Sequence, residues 1–338
     1  MDNSRFITEF ENIINKLNPK KVFFVSSKEY DRFGYRKALE KLGINVVSFT
    51  GFEPCPETKS VRNGVDLLKS SGCDLMTAVG GGSAIDCAKG IKYYADSDIK
   101  IIAVPTTAGT GAEVTKTAVL YENGDKQSVK DVSLIPEYAI FDYETLETLP
   151  TFQKIVTGFD AFCHSFEAYI SKNSNDESKR YSVESLKLFA NNFDAFIEGD
   201  KSAFESMMKC SELAGRAINI AQTAAPHAFS YKLHKLLGFA HGQACVISLV
   251  YIWKYMAENS NDKVLIETLS FLEKLTGFNP STLEQYIKKL GLLDSIIMSR
   301  DEFEETVNGV NLERIKNNPM KFGIDDVRNI YSSFILVK

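Results

Sequence analysis

The chain is poor in histidine, with four in 338 residues, and no two of its six cysteines stand in a CxxC pair. Cys55, Cys73, Cys87, Cys163, Cys210 and Cys245 are spread along the sequence. They read as reduced thiols in a reducing compartment, not as a disulfide framework. A basic excess is also missing. The net charge of −5 argues against a nucleic-acid partner, since phosphate backbones need a basic surface. A local basic pocket for a small anion stays open. The start, MDNSRFITEF, lacks the basic opening and long apolar run of a signal peptide. The late apolar run CVISLVYIW is interrupted at Lys254 and is too short to span a membrane. The expectation is a cytoplasmic protein with no membrane partner.

What remains is ordinary globular composition, 44% hydrophobic and 25% charged, in a chain long enough for two domains. The two halves differ in rhythm. KVFFVS (21–26), INVVSFT (44–50), DLMTAV (74–79) and KIIAVP (100–105) are short apolar runs bounded by Gly, Pro or polar residues, as in buried parallel strands. Amphipathic stretches at 31–42 and 58–70 lie between them, and Gly43 stands where a helix C-terminal glycine would. This alternation predicts an α/β domain with a parallel sheet over residues 1–150. VTKTAVLY (114–121) and YAIFD (138–142) flank a segment expected to form a hairpin and then return to the sheet. From 151 onward, segments 151–172, 178–198, 202–222, 242–258, 262–275 and 282–292 carry helical spacing. An all-helical domain over 151–338 is expected, with a polar loop at 173–179.

Two loops in the first half suit a nucleotide. GGGSAIDCAKG follows DLMTAV, and its glycines Gly80, Gly81 and Gly82 let the backbone turn sharply and approach a ligand. Ser83 is expected to cap the helix that follows, whose start makes an anion site. The stretch has neither the GxGxxG spacing of the common dinucleotide fingerprint nor the GK[ST] ending of a P-loop. PTTAGTGAE, after the next strand, offers the hydroxyls of Thr106, Thr107 and Thr110. Loops at the carboxyl ends of adjacent strands are where open α/β sheets bind nucleotides.

The histidines carry the second signal. His164 follows Asp160 by one helical turn, which puts both on one face. His227 and His241 stand near expected helix starts, where either also fits a plain helix-end residue. One carboxylate and three imidazoles can hold Fe²⁺ or Zn²⁺. His234 reads as a solvated-face residue.

Taken in order, GGGSxxDxAK (80–89), PTTAGTGxE (105–113), GxDAxxHxxEAY (158–169) and Hx₁₃HG (227–242) resemble the iron-containing, group III alcohol dehydrogenases. The resemblance spans residues 20 to 260. It implies a Rossmann-like dinucleotide-binding domain and a helical metal-binding domain, the architecture shared with dehydroquinate synthases, and a homodimer. It implies that Asp160, His164, His227 and His241 bind one Fe²⁺, with Zn²⁺ as the alternative. Gly80, Gly81, Gly82 and Ser83 would meet the cofactor pyrophosphate, and Thr106, Thr107 and Thr110 its nicotinamide side. Lys126 would reach the cofactor ribose. The reaction implied is hydride exchange between NAD(P)H and a small aldehyde or alcohol. The alternative on this architecture is a metal-dependent lyase or cyclase.

Where many NAD-specific members have an aspartate after the first strand, this chain has Ser27, followed by Lys28. NADPH is therefore not repelled, and the expectation leans to it over NADH. Where many members place a relay histidine, this chain has Tyr231, which with Lys232 is the candidate catalytic pair. AAPHAFSYKL and KTAVLYENGDKQSVKD resemble the branch that reduces phosphonoacetaldehyde to 2-hydroxyethylphosphonate. Lys116, Lys126, Lys130 and Lys232 are the cations that a phosphonate would need.

Overall fold

The computed structural model describes residues 5–27, 32–123 and 125–338; Lys28 lies outside the described residues. The chain divides into two compact units, Met1–Pro150 and Thr151–Lys338.

The first unit runs α1 (Arg5–Leu17), β1 (Lys21–Ser26), α2 (Tyr35–Lys41), β2 (Asn45–Phe49), α3 (Thr58–Ser71), β3 (Leu75–Gly80), α4 (Gly82–Ala95) and β4 (Lys100–Pro105). It then continues through β5 (Thr117–Glu122), β6 (Asp125–Lys130) and β7 (Tyr138–Ala139). Among the described residues the sheet has five strands in the order β2-β1-β3-β4-β7. All four pairings are parallel. The apolar runs of β1, β3 and β4 are continuous because both faces are covered. Phe23, Val25, Met76 and Ala78 pack with α3 and α4 on one side, through Val61, Val65, Ile85 and Ile91. Val22, Phe24, Leu75 and Val79 pack with α1 and α2 on the other, through Phe10, Ile14, Tyr35 and Leu39. A period of two sorts alternate side chains to opposite faces. The chain leaves β1 for β2 on one side and for β3 on the other, which makes the β1–β3 boundary a switch point.

Several elements differ in extent from the sequence expectation. The hairpin strand starts at Thr117, not 114, because Ala112–Val114 is a 3-10 turn. The return strand is two residues; beyond it Asp142 is buried and accepts a hydrogen bond from the Tyr35 hydroxyl (2.7 Å). Gly43, with φ 72°, does follow the end of α2. Lys89 fixes the turn before β5. It is fully buried, and its ammonium donates to the carbonyls of Ala112, Thr115 (2.7 Å) and Thr117 (3.1 Å). Burial pushes its pKa down to about 8 against the pull of Asp86 and Glu113.

The second unit contains α5 (Thr151–Ile170), α6 (Asp176–Glu198), α7 (Phe204–Ala221), α8 (Ala225–Leu237), α9 (His241–Asn259), α10 (Lys263–Thr276) and α11 (Pro280–Lys289). It ends with β8 (Ile296–Met298), α12 (Arg300–Asn308), α13 (Ile324–Ser332) and β9 (Ile335–Val337). It is helical with one correction: β8 and β9 pair as a short parallel ribbon. The expected polar loop is partly a helix start, because Asn175 and Ser178 form a reciprocal cap at the head of α6. Helix α5 is the buried axis. Phe159 and Phe162 lie against Phe189, and Phe159 also against Phe193. Gly158 leaves room for that ring, since a Cβ there would lie 2.5 Å from Phe193 Cε2. No helix among the described residues is long and apolar enough to cross a membrane.

Replacing Lys89 with Met strands the carbonyls it serves, at about 1–3 kcal/mol for each one left unpaired. Urea unfolding of the Lys89→Met protein is expected to show a lower midpoint at unchanged slope. An unchanged midpoint would mean that the ammonium does not hold this turn.

Candidate metal centre and glycine-threonine loops

In the second unit, three helices bring one carboxylate and three imidazoles together. Helix α5 contributes Asp160 and His164, α8 contributes His227 from its first turn, and α9 begins at His241. Asp160 Oδ1 lies 3.4 Å from His227 Nε2, 3.7 Å from His241 Nε2 and 3.8 Å from His164 Nε2. A tetrahedral shell with ligands about 2.0–2.1 Å from the ion spaces neighbouring donors by about 3.4 Å. The three separations from Asp160 Oδ1 run from that spacing to slightly above it. The rings of His164 and His227 are stacked, with centroids 4.6 Å apart and planes at 14°. Asp160 and His227 are buried, and neither Asp160 Oδ1 nor His227 Nε2 finds a hydrogen-bond partner of good geometry among the described residues. Buried polar atoms aimed at one point and left unsatisfied are what a metal ion would complete. Burial disfavours the Asp160 carboxylate, but the imidazoles of His164, His241 and His227 outweigh it and hold it well below the usual carboxylate range.

Two features set this geometry. The first is Gly242. A Cβ there would fall 1.9 Å from the Val156 carbonyl oxygen and 3.2 Å from Asp160 Cβ. The first turn of α9 therefore lies directly on the α5 backbone, which brings His241 to Asp160. The second is Glu167, one turn beyond His164 on α5 and fully buried. One carboxylate oxygen is hydrogen-bonded to His227 Nδ1. The other accepts the backbone N–H groups of Ala224 (2.6 Å) and His227 (3.3 Å) at the head of α8. Glu167 thus caps a helix start and fixes the His227 ring with Nε2 toward Asp160. The sequence motif contains Glu167, but its role there was missed, because its partners lie 57 and 60 residues away.

The remaining second-unit candidates are more committed than expected. His234 is not a solvated-face residue. It is half-buried, with Nδ1 2.5 Å from the Phe239 carbonyl and its ring 6.4 Å from that of His241. The Tyr231 hydroxyl accepts from Arg314 (3.3 Å), whose guanidinium also sits over its ring. Lys232 is ion-paired with Glu305 at 2.8 Å. Cys245, one turn after His241, also reaches the cluster. Ligand atoms of Asp160, His227, His241 and Cys245 all lie within 4.8 Å of one another.

In the first unit the glycine turn leaves β3 and the threonine loop leaves β4, side by side. Gly80 takes φ 154°, and its carbonyl accepts from Thr106 N–H (3.1 Å). A Cβ on Gly81 would lie 3.1 Å from Thr107 Cγ2, and one on Gly82 2.7 Å from Thr110 Cγ2. Side chains on these glycines would push the loops apart. Ser83 does not cap α4. The helix starts two residues earlier, at Gly82, with Gly81 in the cap position, and the Ser83 hydroxyl accepts from Cys55 N–H (3.3 Å). The first turn of α4 has no acidic residue, so its positive end suits an anion. The Thr106 hydroxyl is buried without a hydrogen-bond partner among the described residues. Lys126 stands in β6 across from Tyr121, and its charge acts on Asp86 of α4. Burial lifts the Asp86 carboxyl to about 6 against Lys89 and Lys126. These loops fit a pyrophosphate.

The sequence profile of the iron-containing alcohol dehydrogenases matches residues 3–143, and that of the Fe-containing alcohol dehydrogenase family, C-terminal, matches residues 154–335. The chain belongs to the iron-containing alcohol dehydrogenase family, a family of oxidoreductases acting on alcohols with iron and NAD(P). It is 32% identical over 280 residues to 1,3-propanediol dehydrogenase of Klebsiella pneumoniae, covering 77% of this chain and 72% of that protein. It is 34% identical over 237 residues to the enzyme of the same name from Citrobacter freundii, covering 64% of this chain. In that comparison the chain spans 61% of the relative's length. The crystal structure of an iron-containing alcohol dehydrogenase from Thermotoga maritima superposes with a TM-score of 0.87 at 27% identity, covering 97% of this chain and 95% of that one.

Gly242→Ala separates close packing from helix propensity. Propensity alone predicts a gain of up to about 1 kcal/mol for Gly to Ala within a helix. The contact with Val156 predicts a loss of about 1–3 kcal/mol or more. A higher melting temperature for Gly242→Ala would disprove the close approach of α9 to α5.

Proposed function

We propose that this chain is a metal-dependent, NAD(P)H-linked reductase of small aldehydes, reversible as an alcohol dehydrogenase, and that its aldehyde carries a phosphonate. The observation that carries the reaction class is the gathering of His164, His227 and His241 around Asp160 Oδ1 within this family fold. These four residues would hold Fe²⁺ or Zn²⁺, with Gly80, Gly81, Gly82 and Ser83 at the cofactor pyrophosphate. Thr106, Thr107 and Thr110 would lie toward the nicotinamide, and Lys126 at the ribose. Bound metal supplies a Lewis acid for the carbonyl oxygen, and the nicotinamide supplies the hydride.

The protein's own part is position and proton supply. Glu167 keeps the His227 ring in one orientation and one tautomer. His241 is only partly covered, which leaves the substrate a side from which to approach. The Tyr231 hydroxyl accepts from Arg314 and so keeps its own proton for the alkoxide formed on reduction. Lys232 serves by positioning, through Glu305, the helix turn that carries Tyr231. The phosphonate reading is supported by Arg314, which donates to Tyr231, one helical turn after His227 on α8, since a guanidinium suits a dianion. In the first unit Lys116 lies close enough to Lys130 to lower its pKa, after burial. Ser27 in place of a carboxylate supports NADPH. A second reading, a short diol as substrate, is favoured by the likeness to 1,3-propanediol dehydrogenases.

Asp160→Ala and His241→Ala are expected to lose bound metal and turnover together while keeping the wild-type circular dichroism spectrum. Glu167→Gln is expected to weaken metal binding by about 10–100-fold. Full turnover by a metal-free variant would sink the reading. The substrate is tested by assaying phosphonoacetaldehyde, propanal and 3-hydroxypropanal with NADH and NADPH and with Fe²⁺ or Zn²⁺. A kcat/KM at least tenfold higher for phosphonoacetaldehyde is expected. Equal values, or a preference for 3-hydroxypropanal, would replace the phosphonate by the diol.

A further inference from the structure

Cys245 occupies a position in the metal cluster that the four-residue donor set does not account for. It follows His241 by four residues on α9, so both side chains leave the same face of the helix. It is fully buried, and its sulfur lies 3.7 Å from His241 Nε2. Its sulfur, Asp160 oxygen and the nitrogens of His227 and His241 all lie within 4.8 Å of one another. With metal–sulfur bonds of about 2.3 Å and metal–nitrogen bonds of about 2.0–2.1 Å, neighbouring sulfur and nitrogen ligands in a five-ligand shell lie about 3.1–3.8 Å apart. The 3.7 Å from Cys245 to His241 Nε2 is within hydrogen-bond range for sulfur and also falls within that spacing of two ligands. A cysteine packed as a small apolar side chain has no reason to face polar atoms. Here the sulfur faces a region where Asp160 Oδ1 and His227 Nε2, both on nearly inaccessible residues, lack hydrogen-bond partners of good geometry among the described residues.

We propose that Cys245 is a protein ligand of the bound metal, so that the shell of this chain contains sulfur beside carboxylate and imidazole. The proposal rests on the reading that the cluster holds a metal. On coordination the S–H proton leaves to solvent as the sulfur–metal bond forms, with no change in oxidation state. A sulfur donor favours borderline and softer ions, Zn²⁺ and Co²⁺ among them, over an all-nitrogen-and-oxygen shell.

The test uses the whole chain, stripped with a chelator and reloaded with Co²⁺. Visible d–d bands report that cobalt is bound in the protein, and a near-ultraviolet sulfur-to-cobalt charge-transfer band reports a thiolate ligand. The expected result is both bands in the wild type and, in Cys245→Ser and Cys245→Ala, loss of the charge-transfer band with the d–d bands kept. X-ray absorption of the zinc form is expected to show one sulfur at about 2.3 Å in the wild type and none in Cys245→Ser. Visible bands without charge transfer in the wild type, or a charge-transfer band that survives in both variants, would overturn the assignment to Cys245. No visible bands in the wild type would overturn the metal reading itself, and Cys245's role with it.

Discussion

The metal cluster depends on one backbone contact, the seating of α9 on α5 at Gly242. Helices normally meet through side chains, which keeps their axes about 8–10 Å apart. At Gly242 even a Cβ would collide with the Val156 carbonyl. That approach puts His241, the preceding residue, within reach of Asp160 one turn along α5 from Val156. A longer side chain at 242 would move the start of α9 outward and take His241 and Cys245 with it. The glycine gives up helix propensity, and the geometry of the donor set is what it secures.

Glu167 plays the matching part for α8. A helix start leaves several N–H groups unsatisfied, and a buried start needs an acceptor. Most helices find one in their own N-cap side chain, but Ala224 has none to offer. Glu167 supplies it from α5 and uses its other oxygen on the His227 ring. One carboxylate thus satisfies a helix end and aims an imidazole. Its burial is tolerable because three donors surround it. Asp160 differs in kind. Its partners are imidazole nitrogens that face it without good hydrogen-bond geometry, so its burial is balanced by charge, which an ion would provide more fully.

What could be read from the sequence follows the range of the interactions. Strands β1, β3 and β4 were legible because both sheet faces are buried there, which turns each into an unbroken apolar run. Asp160 and His164 were legible as a pair because a four-residue step is a local property of a helix. His227 and His241 needed the family resemblance, since nothing local links them to α5. The capping role expected of Ser83 failed by two residues, because a glycine with extended ψ can begin the helix without a side-chain acceptor. Glu167 and Gly242 stood inside quoted motifs, yet their reasons are contacts with residues far along the chain. The ribbon of β8 and β9 escaped notice because each strand is three residues long, too short to establish an alternation.

Cys245 shows how a local signal can be present and still be passed over. The step from His241 to Cys245 is the same four residues as that from Asp160 to His164, and both put two donors on one helix face. Cysteine is also a common small core residue, and without a CxxC partner its default reading is packing. Only the position of α9, fixed by Gly242, turns that face toward Asp160 and makes the sulfur a neighbour of the imidazoles. The chemical consequence follows from donor strength. A thiolate ligand would give a bound ion more electron density than a neutral imidazole does, and so soften the Lewis acid that the proposed reaction uses. A sulfur in the shell would then tune that Lewis acid from α9, with Asp160 and the imidazoles unchanged.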